Sequence, residues 1–326
     1  MKKAISFQAV LCALALAASG VADARTAPYR NKPIRIIVPF PPGGGIDVLV
    51  RALGSELSKK WGQPFVVENK AGAATFIGSE FVARAPADGY TLLATTDPTF
   101  TSNRHLFKSL PYDPDKGFEP VIQMVKGDNL IFAHPTVPFA DLKELVDAAK
   151  AGQKLSFGSY GNGTQPQLVF GYLNKREGID LLHVPYKGIA PVMMAVASKE
   201  VDLSVASAGV SGEMIKGARV RPLAVAGNKR LPQFPEVETT AEQGFPYLKS
   251  FIWYGLFAPK GTPPEIVGKL NADIAAILRD ETFARQQVTS KGMTVMAGSP
   301  KEFAEAIKQD TALVDEMVKA ANVKPE

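Results

Sequence analysis

The chain has 326 residues, 46% hydrophobic and 21% charged, with a formal net charge of +5 at neutral pH. That length is enough for two compact lobes, and the composition is that of a globular protein. The basic residues are dispersed, with no dense Lys/Arg run and no nucleic-acid motif, so no nucleic-acid partner is expected.

Lys2 and Lys3 open the chain, an apolar run covers 7–18, and Ala22-Asp23-Ala24 is a small-residue cleavage site. Residues 1–24 therefore read as a signal peptide, with Arg25 as the new N-terminus and the periplasm as destination. The run is too short to span a bilayer, and no later stretch reaches about 18 consecutive apolar residues. The single cysteine, Cys12, lies inside this segment, and Leu11 is too bulky for a lipoprotein processing site. The mature chain must then rely on core burial in a compartment that permits disulfides.

After the leader, strand and helix signals alternate. IRIIV at 34–38 is a β-rich run, and a Pro/Gly loop at 39–45 follows it. Residues 46–60 predict a helix with Leu49, Leu53 and Leu57 on one face. A strand at 65–67, a helix at 77–85 and a strand at 90–95 complete a βαβαβ pattern, the mark of a parallel sheet with helices on both faces. A Pro-rich stretch at 110–120 precedes a restart. Strand character covers 121–133, and Asp141 with Glu144 caps a helix. A strand at 155–157 leads into a Gly-rich loop, then Thr164 with Gln167 reads as a second capping box. Strands at 181–184, 201–205 and 223–226 and a helix at 190–198 follow. Two helices end the chain, one capped by Thr262 with Pro263 at its first position, the other by Ser299 with Glu302.

Enzyme motifs are missing. The glycines after the first strand lack the Lys-Ser/Thr of a phosphate loop and the spacing of a dinucleotide fingerprint, and no nucleophile elbow occurs. His105, His134 and His183 have no zinc-ligand spacing. No metal, cofactor or catalytic activity is expected, although a base assembled from distant residues would escape such motifs. Two loops carry chemistry instead. Gly43-Gly44-Gly45 and Gly161-Asn162-Gly163-Thr164 each follow a strand and open a helix. A helix N-terminus presents unpaired N–H groups and positive dipole, and glycine lets a ligand approach, so the pair forms a carboxylate site without an arginine. Tight-turn chemistry alone would explain either loop by itself.

The stretches PIRIIVPFPPGG at 33–44, VENKAG at 67–72, ADGYTLL at 87–93, LPYDP at 110–114, HVPYKG at 183–188 and GLFAP at 255–259 resemble the Bug receptors of tripartite tricarboxylate transporters. The similarity runs from about residue 29 to the C-terminus. It implies a type II periplasmic binding fold: two α/β lobes, two crossing strands and a cleft that captures small carboxylates through backbone N–H groups and ordered waters. Lobe one would be 29–125 plus 250–326, and lobe two 126–249. The resemblance implies a ligand site built from Phe40, Gly43, Gly44, Gly45, Thr95, Thr96 and Asp97 in the first lobe. Ser159, Tyr160, Gly161, Asn162, Gly163, Thr164 and Ser207 would complete it in the second. It also implies a monomer that delivers its solute to membrane transporter subunits. A sensor presenting the ligand to a signalling protein, or an enzyme on the same fold, would use the same cleft. Two departures stand out. Ala206-Ser207-Ala208-Gly209 replaces an Asp-Asn-type pair, and Asp97 and Phe100 replace a small polar residue and a His. Asp97 before Pro98 also reads as a helix N-cap. Phe40, Phe100 and Tyr160 suit either an aromatic ligand or the core.

Overall fold

The computed structural model describes residues 32–325; the signal-peptide reading of 1–24 lies outside them. Strand β1 (Ile34–Val38) runs parallel to β2 (Phe65–Asn69) on one side and to β3 (Thr91–Thr96) on the other. Beyond β3 the sheet turns antiparallel, to β9 (Phe251–Pro259) and then to the long β4 (Phe118–Ala133), with the short β10 (Thr294–Val295) at its edge.

β4 changes partners midway. It pairs with β9 through Asp128, and from Asn129 onward it pairs with β7 (Leu203–Ser207) and β8 (Arg221–Val225). β5 (Ser156–Ser159) lies parallel to β7 and to β6 (Leu182–Pro185). The chain thus folds into two α/β halves that share β4, and the second crossing occurs where Ser250 leads into β9. A buried polar pair fixes this point: Asn129 Nδ2 donates to Ser250 Oγ at 2.8 Å, and Asn129 N–H donates to Ser250 O at 2.9 Å. A buried amide left without such partners would cost about 1–3 kcal/mol, so the pairing holds the crossing in register.

Each half buries its own core. Helix α1 (Gly45–Trp61) lays Leu49, Leu53 and Leu57 against β1 and β3, and stops where Gly62 adopts a left-handed φ of 65°. This is the spacing read from the sequence, now seen as a buried stripe. In the second half, α4 (Leu142–Lys150) and α5 (Gln165–Glu177) bury Leu145, Leu168 and Leu173 with Phe157 and Val205. The remaining helices are α2 (Phe76–Ala83), α3 (Asn103–Leu106), α6 (Ile189–Ala197), α7 (Ala208–Lys216), α8 (Pro264–Leu278), α9 (Glu281–Gln287) and α10 (Pro300–Ala320). Helix α10 spans both cores. Phe303 packs among Trp253 and Phe257, whereas Val314, Met317 and Val318 pack with the second half, although 250–326 was expected wholly with lobe one.

Four expected caps meet different fates. The Ser299–Glu302 capping box is complete, and Asp141 accepts the Glu144 N–H at 2.8 Å. The Thr164–Gln167 box does not form: Thr164 Oγ1 donates to Gly161 O, and Gln167 accepts from Gly163 N–H, so both side chains serve the loop. Thr262 likewise donates to Pro259 O, and the helix begins at Pro264, one residue later than expected.

Candidate functional site

The loops after β3, β5 and β7 emerge at the carboxyl ends of parallel strands, where an open α/β sheet leaves its ligand crevice. There they enclose a cavity of about 450 Å³. The first half supplies Thr96, Asp97, Pro98, Thr101, Ser102, Asn103 and Leu106; the second supplies Tyr160, Asn162, Gly163, Thr164, Gln165, Ile189, Ser207 and Val210. Asn129, Phe251 and Ile252 of the crossing strands form part of the wall. Gln165, Ile189 and Ser207 are the first residue of α5, the first of α6 and the N-cap of α7. Three helix N-termini therefore reach one cavity, and their orphan N–H groups and positive dipole ends favour an anion. No Lys, Arg or His is among the described lining residues.

The second-half loop is held from three sides. Gly161 and Gly163 have φ of 141° and 68°, conformations that favour glycine. Ser159, fully buried at the end of β5, lies 2.6 Å from His183 Nε2 and 3.3 Å from Gly161 O. Burial lowers the His183 pKa, which favours the neutral ring. At the helix side, Ser250 Oγ donates to Gln165 Oε1 at 2.9 Å, wiring the crossing point to the first turn of α5. A Cβ on Gly163 would overlap Leu106 of the first half, so the two halves touch here without room to spare.

Asp97 carries the distinctive electrostatics. Its side chain is 3% exposed, and Oδ1 accepts the Trp253 N–H at 3.3 Å. Burial, with the charge of Asp310 added, pushes its carboxyl up to about 7 against the opposing pull of the Trp253 N–H and Lys126. Tyr160 is raised in turn, by burial first and then by the charge on Asp97. The expected N-cap role is not what forms. Thr96 occupies the cap position of the short turn Asp97–Thr99, and Asp97 is tied to β9 instead.

Of the residues expected at the site, the cavity brings together Thr96, Asp97, Tyr160, Asn162, Gly163, Thr164 and Ser207. It does not bring in the others. Thr95 is buried against Thr99 at 2.7 Å, and Ser159 acts behind the loop. Phe40 packs on the first core, Gly43, Gly44 and Gly45 are exposed, and Gly161 shapes the loop without lining the cavity. At the first glycine loop Gly45 packs against Tyr254, whose Oη lies 2.6 Å from where a Gly45 Cβ would be. Phe100 is core, stacked on Phe257 with ring centroids 4.1 Å apart. Asn129, Gln165 and Leu106 were missed. A lone Asn inside the apolar strand run DNLIFA was the available signal for the first; the other two depend on tertiary approach.

A larger cavity of about 710 Å³ is lined by Lys126, Asp128, Lys249 and Asp310. It contains none of the strand-end loops that shape the smaller one, so size does not make it the site. Among the described residues no helix is long and apolar enough to cross a membrane.

Two α/β halves joined by crossing strands, with a cavity between strand-end loops of both, define a solute-binding protein of the periplasmic type. The chain belongs to the tripartite tricarboxylate transporter family of receptors, whose family model matches residues 49–323. It is 36% identical over 303 residues to a protein from the tcbD–tcbE intergenic region of Pseudomonas sp. strain P51, covering 92% of this chain and 89% of that one. Among solved structures it is similar to the periplasmic binding protein BugD, with a TM-score of 0.71, 33% identity and coverage of 91% of this chain and 99% of that one. An R. palustris protein solved with adipate gives a TM-score of 0.75 and 31% identity, with the same coverages of 91% and 99%.

Proposed function

We propose that this protein captures a small carboxylate in the periplasm and delivers it to the membrane subunits of a tripartite tricarboxylate transporter. The observation that carries the reading is the cavity in which three helix N-termini meet with no cationic side chain among the described lining residues. Such a wall binds an anion through backbone N–H groups, hydroxyls and amides. The adipate in a structural relative supports the same ligand chemistry. Residues 1–24 act as the export signal, and the halves at 29–125 plus 250–326 and at 126–249 act as the closing lobes, with the end of α10 (Val314, Met317 and Val318) carried on the second. The ligand contacts are those side chains of the expected set that line the cavity, Thr96, Asp97, Asn162, Thr164 and Ser207 among them.

A thermal-shift panel of adipate, malate, pentanoate and amino acids tests the reading. A ligand present at 100 times its Kd adds about 2.7 kcal/mol of stability, well within detection. Stabilisation by at least one carboxylate, absent with matched alcohols, is the expected result. No response to any of them overturns it. Mass spectrometry of periplasmic material should show a chain that starts at Arg25.

A further inference from the structure

Among the described residues, the cavity wall contains one carboxyl side chain, Asp97, and no cationic side chain to balance it. Lys126 does not serve, because it pairs with Asp310 at 3.5 Å and lines the other cavity. A ligand carboxylate placed beside an ionised Asp97 would be repelled. The rest of the lining is different in character: Leu168, Ile189, Val210 and Val314 are apolar, and the helix ends at Gln165 and Ser207 also line the cavity. A cavity lined by an acid, anion-seeking helix ends and apolar side chains matches a molecule with a cation, a hydrocarbon body and a carboxylate.

We propose that the ligand is an aminocarboxylate, its ammonium received by Asp97 and its carboxylate by the N-termini of α5 and α7. This rests on the carboxylate reading of the same cavity and names the class within it. Asp97 is then the residue that selects for the amine. Its placement suits that role: it is nearly fully buried, fixed by the Trp253 N–H, and short of a positive partner in the wall it shares. A charge-assisted hydrogen bond at such a site changes affinity by about tenfold to a hundredfold.

Groups facing Asp97 from neighbouring elements fix the expected pH behaviour. Burial and Asp310 of α10 oppose its ionisation, while the Trp253 N–H of β9 and Lys126 of β4 favour it. Tyr160 and Tyr254 also feel its charge, and both are raised, by burial first. With the carboxyl near 7, an ammonium ligand should bind more tightly as pH rises from 6 to 8, and a plain carboxylate less tightly. An aliphatic amine near 10.4 and a carboxylate near 4, roughly, stay charged throughout. Titration of His183 would move both ligands in one direction, so opposite slopes single out Asp97.

Calorimetry with two matched pairs, leucine against 4-methylpentanoate and 5-aminopentanoate against pentanoate, tests this at pH 6 and pH 8. The expected result is a preference of about tenfold or more for the amine in at least one pair at pH 8, with opposite pH slopes. Asp97→Asn, which keeps an acceptor for the Trp253 N–H, should erase that preference. Should the variant fail to fold, the opposite slopes in the parent protein decide. Carboxylates that bind without discrimination in either pair, or with parallel slopes, overturn this proposal and leave the carboxylate reading standing. Failure of every carboxylate to bind overturns both.

Discussion

The two glycine loops use one local device and end in different places. Gly43 N–H is accepted by Asp47 at 2.9 Å, and Gly163 N–H by Gln167 at 2.6 Å, each from a residue four positions on. In the first loop the clamp is charged. Asp47 also receives Arg51 at 3.0 Å and Asn69 at 2.8 Å, and the glycines stay exposed. In the second the clamp is a neutral amide, and Gly163 packs directly against Leu106 of the first half at the cavity wall. A glycine turn before a helix therefore does not make a binding site by itself. What stands opposite the turn decides whether it closes a cavity.

The contrast is tested most sharply by Gly163→Val. A β-branched residue at a φ of 68° is strained by about 1–2 kcal/mol, and overlap with Leu106 adds about 1–3 kcal/mol of overpacking. Ligand affinity should fall about a hundredfold in calorimetry, because the side chain wedges the halves apart where they meet. A folded variant that binds as tightly as the parent would remove the second loop from the site.

Next come the clamps. Asp47→Ala leaves the Gly43 N–H, the Asn69 amide and the Arg51 guanidinium without their common partner, and should lower stability by about 2–3 kcal/mol in urea unfolding. Gln167→Ala removes one neutral acceptor and should cost about 1 kcal/mol. Equal losses would show that the charge of the first clamp is irrelevant to its strength.

Acid distinguishes the clamps as well. Burial alone would raise the Asp47 carboxyl, but hydrogen bonds from Arg51, Gly43 N–H and Asn69 outweigh it and hold the group at about 2. The folded pKa lies below the unfolded value of about 3.9, so the stabilisation is complete above about pH 4 and is lost as pH falls toward 2. It amounts to about 2 kcal/mol. Asp47→Asn should flatten this part of the stability–pH curve between pH 4.5 and 2.5, whereas Gln167→Ala should leave its slope unchanged. A parent curve already flat there would contradict the charged clamp.

Much of the fold is legible in the sequence because its signals are local. The 34–38 run, the Leu49–Leu53–Leu57 stripe and the Ser299–Glu302 box all depend on neighbours within a few turns. The crossing strand β9 was legible only through family resemblance. FIWYGLFAP is apolar on both faces, so alternation is absent, and the interior Gly255 weakens any strand signal. The site divides in the same way. Gly163 and Thr164 announce themselves by type, but the cap partners of Thr164 and Asp97 were misjudged, because Gly161 O and Trp253 N–H compete for side chains that local rules assign to helix ends. Sequence spacing does not show that Leu106 closes against Gly163, or that Gly43–Gly45 stop outside the cavity.

The smallest expected effect falls on the first loop and bears most directly on its role. Gly43 has a φ of 88°, and a Cβ built there meets no heavy atom within 4 Å. Gly43→Ala is therefore a test of backbone strain without a steric clash, and should lower stability by about 1 kcal/mol. If the loop stands outside the ligand's reach, affinity should not change, because the Asp47 clamp is retained and nothing in the cavity wall moves. If the family-based expectation for Gly43, Gly44 and Gly45 is right, a methyl group on this backbone meets the ligand when the halves close, and affinity drops while the unliganded melting temperature shifts by the same small amount. Calorimetry and melting curves on one variant separate the two cases. A clear affinity loss would return the first glycine loop to the binding site, and the asymmetry between the loops would then belong to the unliganded protein alone.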